Sequence, residues 1–572
     1  MRAQNSSAAT DIVCVLLLAL SVAGTWLPRL DGPIDLRWDA GAFYVLGKSL
    51  ASGQGYRLLN EPGEIRAIQD PPLLPAIVAA HIVSMDTDSI ETTGFPIRIT
   101  ILLFHLSLVL LTYVLARGFL SPSFAFLAAF MTVVSDTMIY ASDLCQPEIP
   151  YAVVSIAFFL LIRAGSTTFK SIAMFTLALI GFALRSAGVI LFISWITDSF
   201  FRKNYRQMMI RTVVSVVPVM LWTGYIQFVK SGSEYRRPAY SYQRSDFLYH
   251  NVSYLEYIRV KDPHQPEKGR YSSMELAGRI YKIAPQIPKK IGGTVCVNYG
   301  YLKQFFHRQK LSFSLPEKLN VMIATFFGAI SLAGAVILVK KGERLILIYL
   351  VFSLIPVCLW QYTDEMYRIL TPLVPFFAIT FAMTLSETAS WVKQKASRST
   401  AVAVIVLPLI LWAGLSYFSV RDLFRYEHRE VSYPVQGGNL KFRLFSYDTF
   451  SRSLESAGAW LKGNAIQSDV IATAMPHYMY LRTGLKCVLP PFVEDPSKVL
   501  ELMDSVPVKY VVLDEPNREE PLPHAGRTGM DRIAAMIQIY PEQWTKVYST
   551  GTATVWQHNH IDGQREAVRK SP

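Results

Sequence analysis

Charge is scarce in this sequence. Only 17% of its 572 residues are Asp, Glu, Lys or Arg, against about 25% in soluble domains. Cysteine is scarcer still: five residues (Cys14, Cys145, Cys296, Cys358, Cys487) are scattered with no C-x-x-C pair, which excludes a disulfide framework and a clustered zinc site. No G-x-G-x-x-G follows a predicted strand and no P-loop is present, so the patterns that cradle nucleotide phosphates are missing. No period repeats along the chain, which argues against solenoids and against the inverted repeats of many transporters. The first apolar segment has no basic stretch beyond Arg2 and no small-x-small cleavage site; it reads as a retained span rather than a signal peptide.

What the chain has instead is apolar length. Hydrophobic residues make up 51% and mean hydropathy is +0.27. They fall in blocks at 11–28, 96–116, 122–140, 149–163, 171–184, 186–200, 207–229, 319–339, 343–361, 367–386 and 400–420, lengths suited to about 30 Å of hydrocarbon at about 1.5 Å per residue. The net charge of +13 is distributed by side. With the N-terminus inside, the short inner loops carry Arg117; Arg163 and Lys170; Arg202, Lys203 and Arg206; Lys340, Lys341 and Arg344; and Lys393, Lys395 and Arg398, broken only by Glu343. That is the positive-inside pattern, not a nucleic-acid footprint. Residues 171–200 are too long for one crossing and read as two short ones meeting near Arg185 at the outer face.

The expected architecture is an α-helical polytopic membrane protein of about eleven spans (1–420), with outer segments 28–95 and 230–318 and a C-terminal extracytoplasmic α/β domain (421–572). Within the first outer segment 40–52 reads as a helix and 73–84 as an apolar helix lying in the interface. In the second, the tyrosine-rich stretch 235–257, an amphipathic helix over 274–287 and Lys289/Lys290 suit a surface resting on headgroups. The tail alternates helices (450–462, 476–483, 496–504, 530–539) with short apolar strands (470–474, 486–489, 509–514, 543–549, 552–557), the pattern of a small α/β layer.

The chemistry-bearing residues gather at the outer face. Asp39 lies about one turn from Phe43 and Tyr44. Burial beside aromatics disfavours an ionised carboxylate and can tune it as a general base; a helix cap is the bland alternative. Glu148, between Pro147 and Pro150 in the next outward loop, can converge with Asp39 as a base-and-partner pair or as ligands of a divalent cation. Arg185 and Arg368, the latter beside Tyr367, offer guanidinium forks to a lipid phosphate at headgroup level, or else pair with carboxylates.

The order of motifs is Asp39…Phe43, Ser52-Gly-Gln-Gly-Tyr56, Asp70-Pro-Pro-Leu73, Glu148-Ile-Pro150, Leu184-Arg185 and Tyr367-Arg368-Ile-Leu-Thr-Pro372-Leu-Val-Pro375. Over roughly residues 11–386 this order resembles the GT-C glycosyltransferases, specifically the bacterial relatives of protein O-mannosyltransferases and of the aminoarabinose transferase of lipid A. The resemblance implies an integral protein of the bacterial inner membrane with a periplasmic C-terminal domain. It further implies transfer of a hexosyl or pentosyl group, with inversion, from a polyprenyl-phosphate sugar to a lipid, glycan or protein acceptor. It makes Asp39 the base and Glu148 the partner acid, with Arg185, Arg368, Tyr44 and Tyr367 toward the substrates and no nucleic-acid partner. One position departs: some relatives carry a phosphate-contacting Lys just before the Pro-Pro pair, where this chain has Asp70. The rival reading is a transporter or lipid flippase, which calls for charges at span midplanes and broken helices; few central charges are present. A sensor would need an output domain, and the inner loops are too short for one.

Overall fold

The computed structural model of the chain describes residues 2–165, 167–245, 248, 250–263, 265–296, 317–360, 366–395, 398–435, 438–514 and 524–559. Asp364 and Glu365, just ahead of Arg368 in the sequence, and residues 297–316 of the second outer segment lie outside them.

Every apolar block among the described residues folds as helix. Among the described residues six helices are long and apolar enough to cross a membrane: Ala8–Arg29, Ile90–Arg117, Tyr205–Ser231, Lys318–Lys340, Tyr367–Val392 and Ile405–Glu427. The other expected crossings are shorter: α5 (Pro122–Val134), α7 (Glu148–Arg163), α8 (Thr168–Leu184), α9 (Val189–Phe201) and Arg344–Leu359. They pack with α1 (Arg2–Trp26), α4 (Ile90–Arg117) and α10 (Tyr205–Ser231) into one bundle, α4 against α5 and α7, and α8 to α10 in sequence. The block at 122–140 is two helices rather than one. Ser135 turns extended (ψ 121°), its hydroxyl donates to the Thr294 carbonyl at 2.9 Å, and α6 (Asp136–Ala141) starts anew. α3 (Leu73–Met85) is a 13-residue apolar helix over the segment read as helical from the sequence.

Helix crossings are tight where small residues meet. A Cβ on Gly292 would stand 1.7 Å from the Ala324 carbonyl oxygen, and one on Gly328 1.7 Å from that of Pro288. Close backbone approach of this kind is what small residues permit in membrane bundles.

The two ends of the bundle differ in chemistry. At one end Arg163 donates to the Gly118 carbonyl, lies over Phe119 and pairs with Glu343 at 3.2 Å, while Arg344 lies over Phe201 and Lys341 pairs with Glu387. These are the basic loops that the charge pattern assigns to the inside. The opposite end carries α2 (Asp39–Ala51), α3 and the described parts of the second outer segment and the tail.

The tail begins with a hairpin, β1 (His428–Val435) with β2 (Gly438–Phe445), that the sequence reading lacks. A five-stranded sheet follows in the order β4-β3-β5-β7-β6, from β3 (Val470–Ala472), β4 (Lys486–Val488), β5 (Val508–Asp514), β6 (Trp544–Thr550) and β7 (Ala553–His558). β3 runs parallel to β4 and β5, and the remaining pairs are antiparallel. Alternation along the strands fills both faces: Ile471, Tyr510 and Val512 join the core that also contains the bundle, and Val470, Ala472 and Val511 join a second. The first of these cores runs without a break from the bundle into Phe450, Leu454 and Met475, so packing does not stop at residue 421.

Candidate active site

A two-residue bridge builds the site. Asp35 and Leu144 pair as parallel strands, with Asp35 N–H donating to the Asp143 carbonyl at 3.0 Å and Cys145 N–H to that of Asp35 at 3.3 Å. Four positions on from each, Asp39 opens α2 and Glu148 opens α7. The two chains run side by side, so their first helical carboxylates arrive together.

Asp39 does not cap its helix. Trp38 occupies that place and no side-chain cap bond is made. Trp38 has φ 57° and ψ −138°, a conformation that costs a non-glycine residue about 1–3 kcal/mol and clusters at functional sites. Stacking of its indole on Phe450 of the tail (centroids 6.2 Å, interplanar angle 23°) holds it there.

Arg368 joins the two acids. Its Nη1 donates to Asp39 Oδ2 and its Nε to Glu148 Oε1 at 3.1 Å. Arg185 Nη1 stands 3.5 Å from the same Glu148 oxygen. Arg185 is held by the turn between α8 and α9, where Gly188 is essential: any Cβ would lie 2.3 Å from the Gly181 backbone. Glu148 is 1% exposed and its Oε2 has no hydrogen-bond partner among the described residues.

A histidine that sequence reasoning missed completes the cluster. His250 Nε2 lies 3.4 Å from Asp39 Oδ1, and its Nδ1 2.8 Å from Asp70 Oδ2. Three carboxylates thus face Arg368, Arg185 and His250. Nothing in the spacing around His250 separates it from the other nine histidines. The acidic residue before Pro71-Pro72 was its one trace.

The balance of charge corrects the expected tuning of Asp39. Burial does push its pKa upward, but Arg368 and the hydrogen bond and charge of His250 outweigh burial and hold it well below the usual carboxylate range. A carboxylate so stabilised is a weak base until one of its cations is withdrawn.

The remaining expected residues separate. Arg185 and Arg368 stand at the site. Tyr44 does not: its hydroxyl is buried against Thr93 Oγ1 and the Asp88 carbonyl at 3.1 Å. Tyr367 packs on Gly293 of helix Ile287–Val295, with Lys290 Nζ 4.8 Å from its ring centroid.

Two cavities meet at Arg368. One, of about 350 Å³, is lined by Trp38, Asp39, Tyr140, Gln146, His250 and His477. The other, of about 370 Å³, is an apolar groove walled by Val189, Ile193, Phe352, Ile355 and Trp360, with Arg185 at its end. Arg368 lines both. A larger polar cavity of about 800 Å³ lies elsewhere, between Lys48, Glu91, Arg452 and Arg482, and does not include Asp39.

The expected divalent cation would sit between Asp39 and Glu148. Among the described residues no group of three His, Cys, Asp or Glu can hold one. The oxygens of Asp39 and Glu148 that face each other are also already bridged by the Arg368 guanidinium.

No protein-family model matches the sequence, and no curated protein matches it. Solved structures do. A crystal structure of the oligosaccharyltransferase of Archaeoglobus fulgidus in complex with Zn and sulfate is similar at TM-score 0.53 and 13% identity, covering 96% of this chain and 73% of that one. The same protein tethered to an acceptor peptide is similar at 0.50 and 14%, covering 96% and 74%. ArnT of Cupriavidus metallidurans bound to undecaprenyl phosphate is similar at 0.50 and 10%, covering 95% and 97%. At these identities it is the fold alone that is shared: this chain has the fold of those two membrane proteins.

Proposed function

We propose that this protein transfers a sugar from a polyprenyl-phosphate donor to a hydroxyl of a lipid, glycan or protein acceptor at the extracytoplasmic face of the membrane. The observation that carries the reading is Arg368, the common wall of an apolar groove and of the cavity holding Asp39. A prenyl chain suits the groove, its phosphate suits the forks of Arg185 and Arg368, and the sugar then reaches into the polar cavity. That a protein of this fold has been crystallised with undecaprenyl phosphate supports the choice of donor.

The charges define a sequence of events. The donor phosphate draws Arg368 toward itself and frees Oδ2 of Asp39, whose basicity rises once that cation is withdrawn. Oδ2 accepts the proton of the acceptor hydroxyl as its oxygen bonds to the anomeric carbon. The bond from that carbon to the phosphate oxygen breaks, and polyprenyl phosphate leaves with the electron pair, its charge met by Arg185 and Arg368. Attack from the side of Asp39, opposite the phosphate, inverts the anomeric centre. Positioning and fixed charge supply most of the acceleration because the leaving group is already an anion.

Membranes containing the wild-type chain should transfer label from a radiolabelled polyprenyl-phosphate sugar, and Asp39→Asn membranes with equal protein should not. Equal transfer by both would defeat the assignment.

A further inference from the structure

His250 is placed as though something depended on its orientation. It is a non-glycine residue at φ 69°, in the left-handed region that costs about 1–3 kcal/mol unless its surroundings enforce it. Those surroundings are specific. Its backbone N–H donates to Gln69 Oε1 at 2.8 Å, and its imidazole, 5% exposed, spans Asp70 and Asp39. Asp70 is pinned in turn: Tyr254 donates to its Oδ1 at 3.1 Å and Tyr56 to its carbonyl at 2.9 Å. Phe43 and His477 meet the imidazole edge-on, with centroids at 6.4 and 5.3 Å.

We propose that His250 is a positioning residue for Asp39: the chain Asp70–His250–Asp39 keeps Oδ1 of the reacting carboxylate fixed while Arg368 is drawn from Oδ2 to the donor phosphate. This rests on the transferase reading above. Without such a tether, a carboxylate that loses its arginine is free to rotate at the moment it must accept a proton, and misplacement by about 1 Å can cost about 100-fold. The Asp70–His250 pair also explains the departure from the lysine found before Pro-Pro in some relatives. The acidic residue here serves the histidine, not the phosphate.

Among the described residues, the titratable groups against the imidazole include Asp39 from α2, Asp70 ahead of α3 and His477 from the tail, with Tyr254 on Asp70 and Arg368 beyond Asp39. Burial alone would lower the pKa of His250, but the hydrogen bonds and charges of Asp39 and Asp70 raise it to about 9. His477 is pushed down to about 3 by burial and by His250, and stays neutral. Below about pH 9 the His250 ring therefore carries both protons and bonds both carboxylates at once. As pH rises through that value one of the two bonds is lost.

The test uses the full-length protein in nanodiscs, with labelled histidine followed by NMR and His250 assigned by its loss in His250→Gln. His250 should titrate near pH 9 in the wild type, and at least one unit lower in Asp70→Asn. In the transfer assay the alkaline limb of kcat should move down with it. A two-unit move gives about a tenfold loss at pH 8 and under twofold at pH 6, with donor KM unchanged within threefold. His250→Gln, which keeps one donor toward Asp39, should retain at least tenfold more activity than His250→Ala. A wild-type His250 titrating near 6.5, or an alkaline limb unmoved in Asp70→Asn, would overturn the proposal; a merely structural role would give equal losses at every pH. If the wild type transfers no label, the transferase reading falls, and the titration still decides whether the tether exists.

Discussion

Replacing Arg368 by lysine keeps a positive charge and removes a geometry. The guanidinium reaches two acids through different nitrogens, Nη1 to Asp39 and Nε to Glu148 at 3.1 Å. One ammonium cannot serve both, nor grip a phosphate with two parallel bonds. A single charge-assisted hydrogen bond is worth about 1.5–3 kcal/mol. Losing one at the donor phosphate should therefore lower kcat/KM for the donor about 10- to 150-fold. Stability should change little, because the Arg368 side chain is 31% exposed and the charge remains. Arg368→Ala is a different perturbation. It leaves Glu148, 1% exposed, with Arg185 at 3.5 Å as its nearest cation, and an under-compensated buried carboxylate costs about 3–5 kcal/mol. The assay is transfer at varied donor concentration with protein purified in parallel, each variant's melting temperature recorded alongside. A lysine variant within threefold of wild type in donor kcat/KM would refute the reasoning, as would a lysine variant destabilised as much as the alanine one.

Asp39→Asn should cost about 100- to 10,000-fold in kcat, the range of a lost general base, with normal expression, since the Asp39 side chain makes no cap bond to its helix. Chelation by EDTA should leave transfer within twofold of the untreated rate, because Arg368, Arg185 and His250 already neutralise the acids; abolition reversed by added metal would contradict this. A phosphatase fusion near residue 430 should be active and a fluorescent-protein fusion dark, since β2 is bonded through Arg37 to the first outer segment and the two must share a side. Gly188→Val should lower the yield of folded protein severely, its side chain colliding with backbone 2.3 Å away; normal yield would contradict the tight turn.

The helices were legible because hydrophobic length and turn chemistry are local. Pro496–Asp504 and Pro476–Thr483 match their expected bounds, and the short α8 and α9 follow from Lys170 and Arg202 wanting one side. The hairpin over 428–445 was missed although Gly437-Gly438 signals a turn, because its strands lie where span and domain were expected to abut. At the site, the acids and arginines were visible as charges at the outer ends of apolar runs. Their connection was not: the Asp35–Leu144 bridge spans more than a hundred residues, and no local pattern encodes it. His250 and His477 were invisible for the same reason, and Tyr44 misled because nearness along a helix says nothing of which face a ring takes. The direction of the Asp39 shift failed because burial could be inferred locally, whereas its two cations come from residues 250 and 368.

Arg37 sets a schedule for the making of this protein. It is 1% exposed, paired with Asp35, and spends its other donors on the carbonyls of Phe445 and Ser446 and the hydroxyl of Ser451, partners that leave the ribosome some four hundred residues later. Until they arrive, a buried guanidinium two residues from Asp39 has half its bonds unmade, and Trp38 lacks the ring that holds its strained backbone. The loop around Arg37 and Trp38 is thus among the first parts synthesised and the last completed. Shortened versions ending with the membrane bundle would inherit an unfinished centre around Arg37 and Trp38 rather than a simpler one.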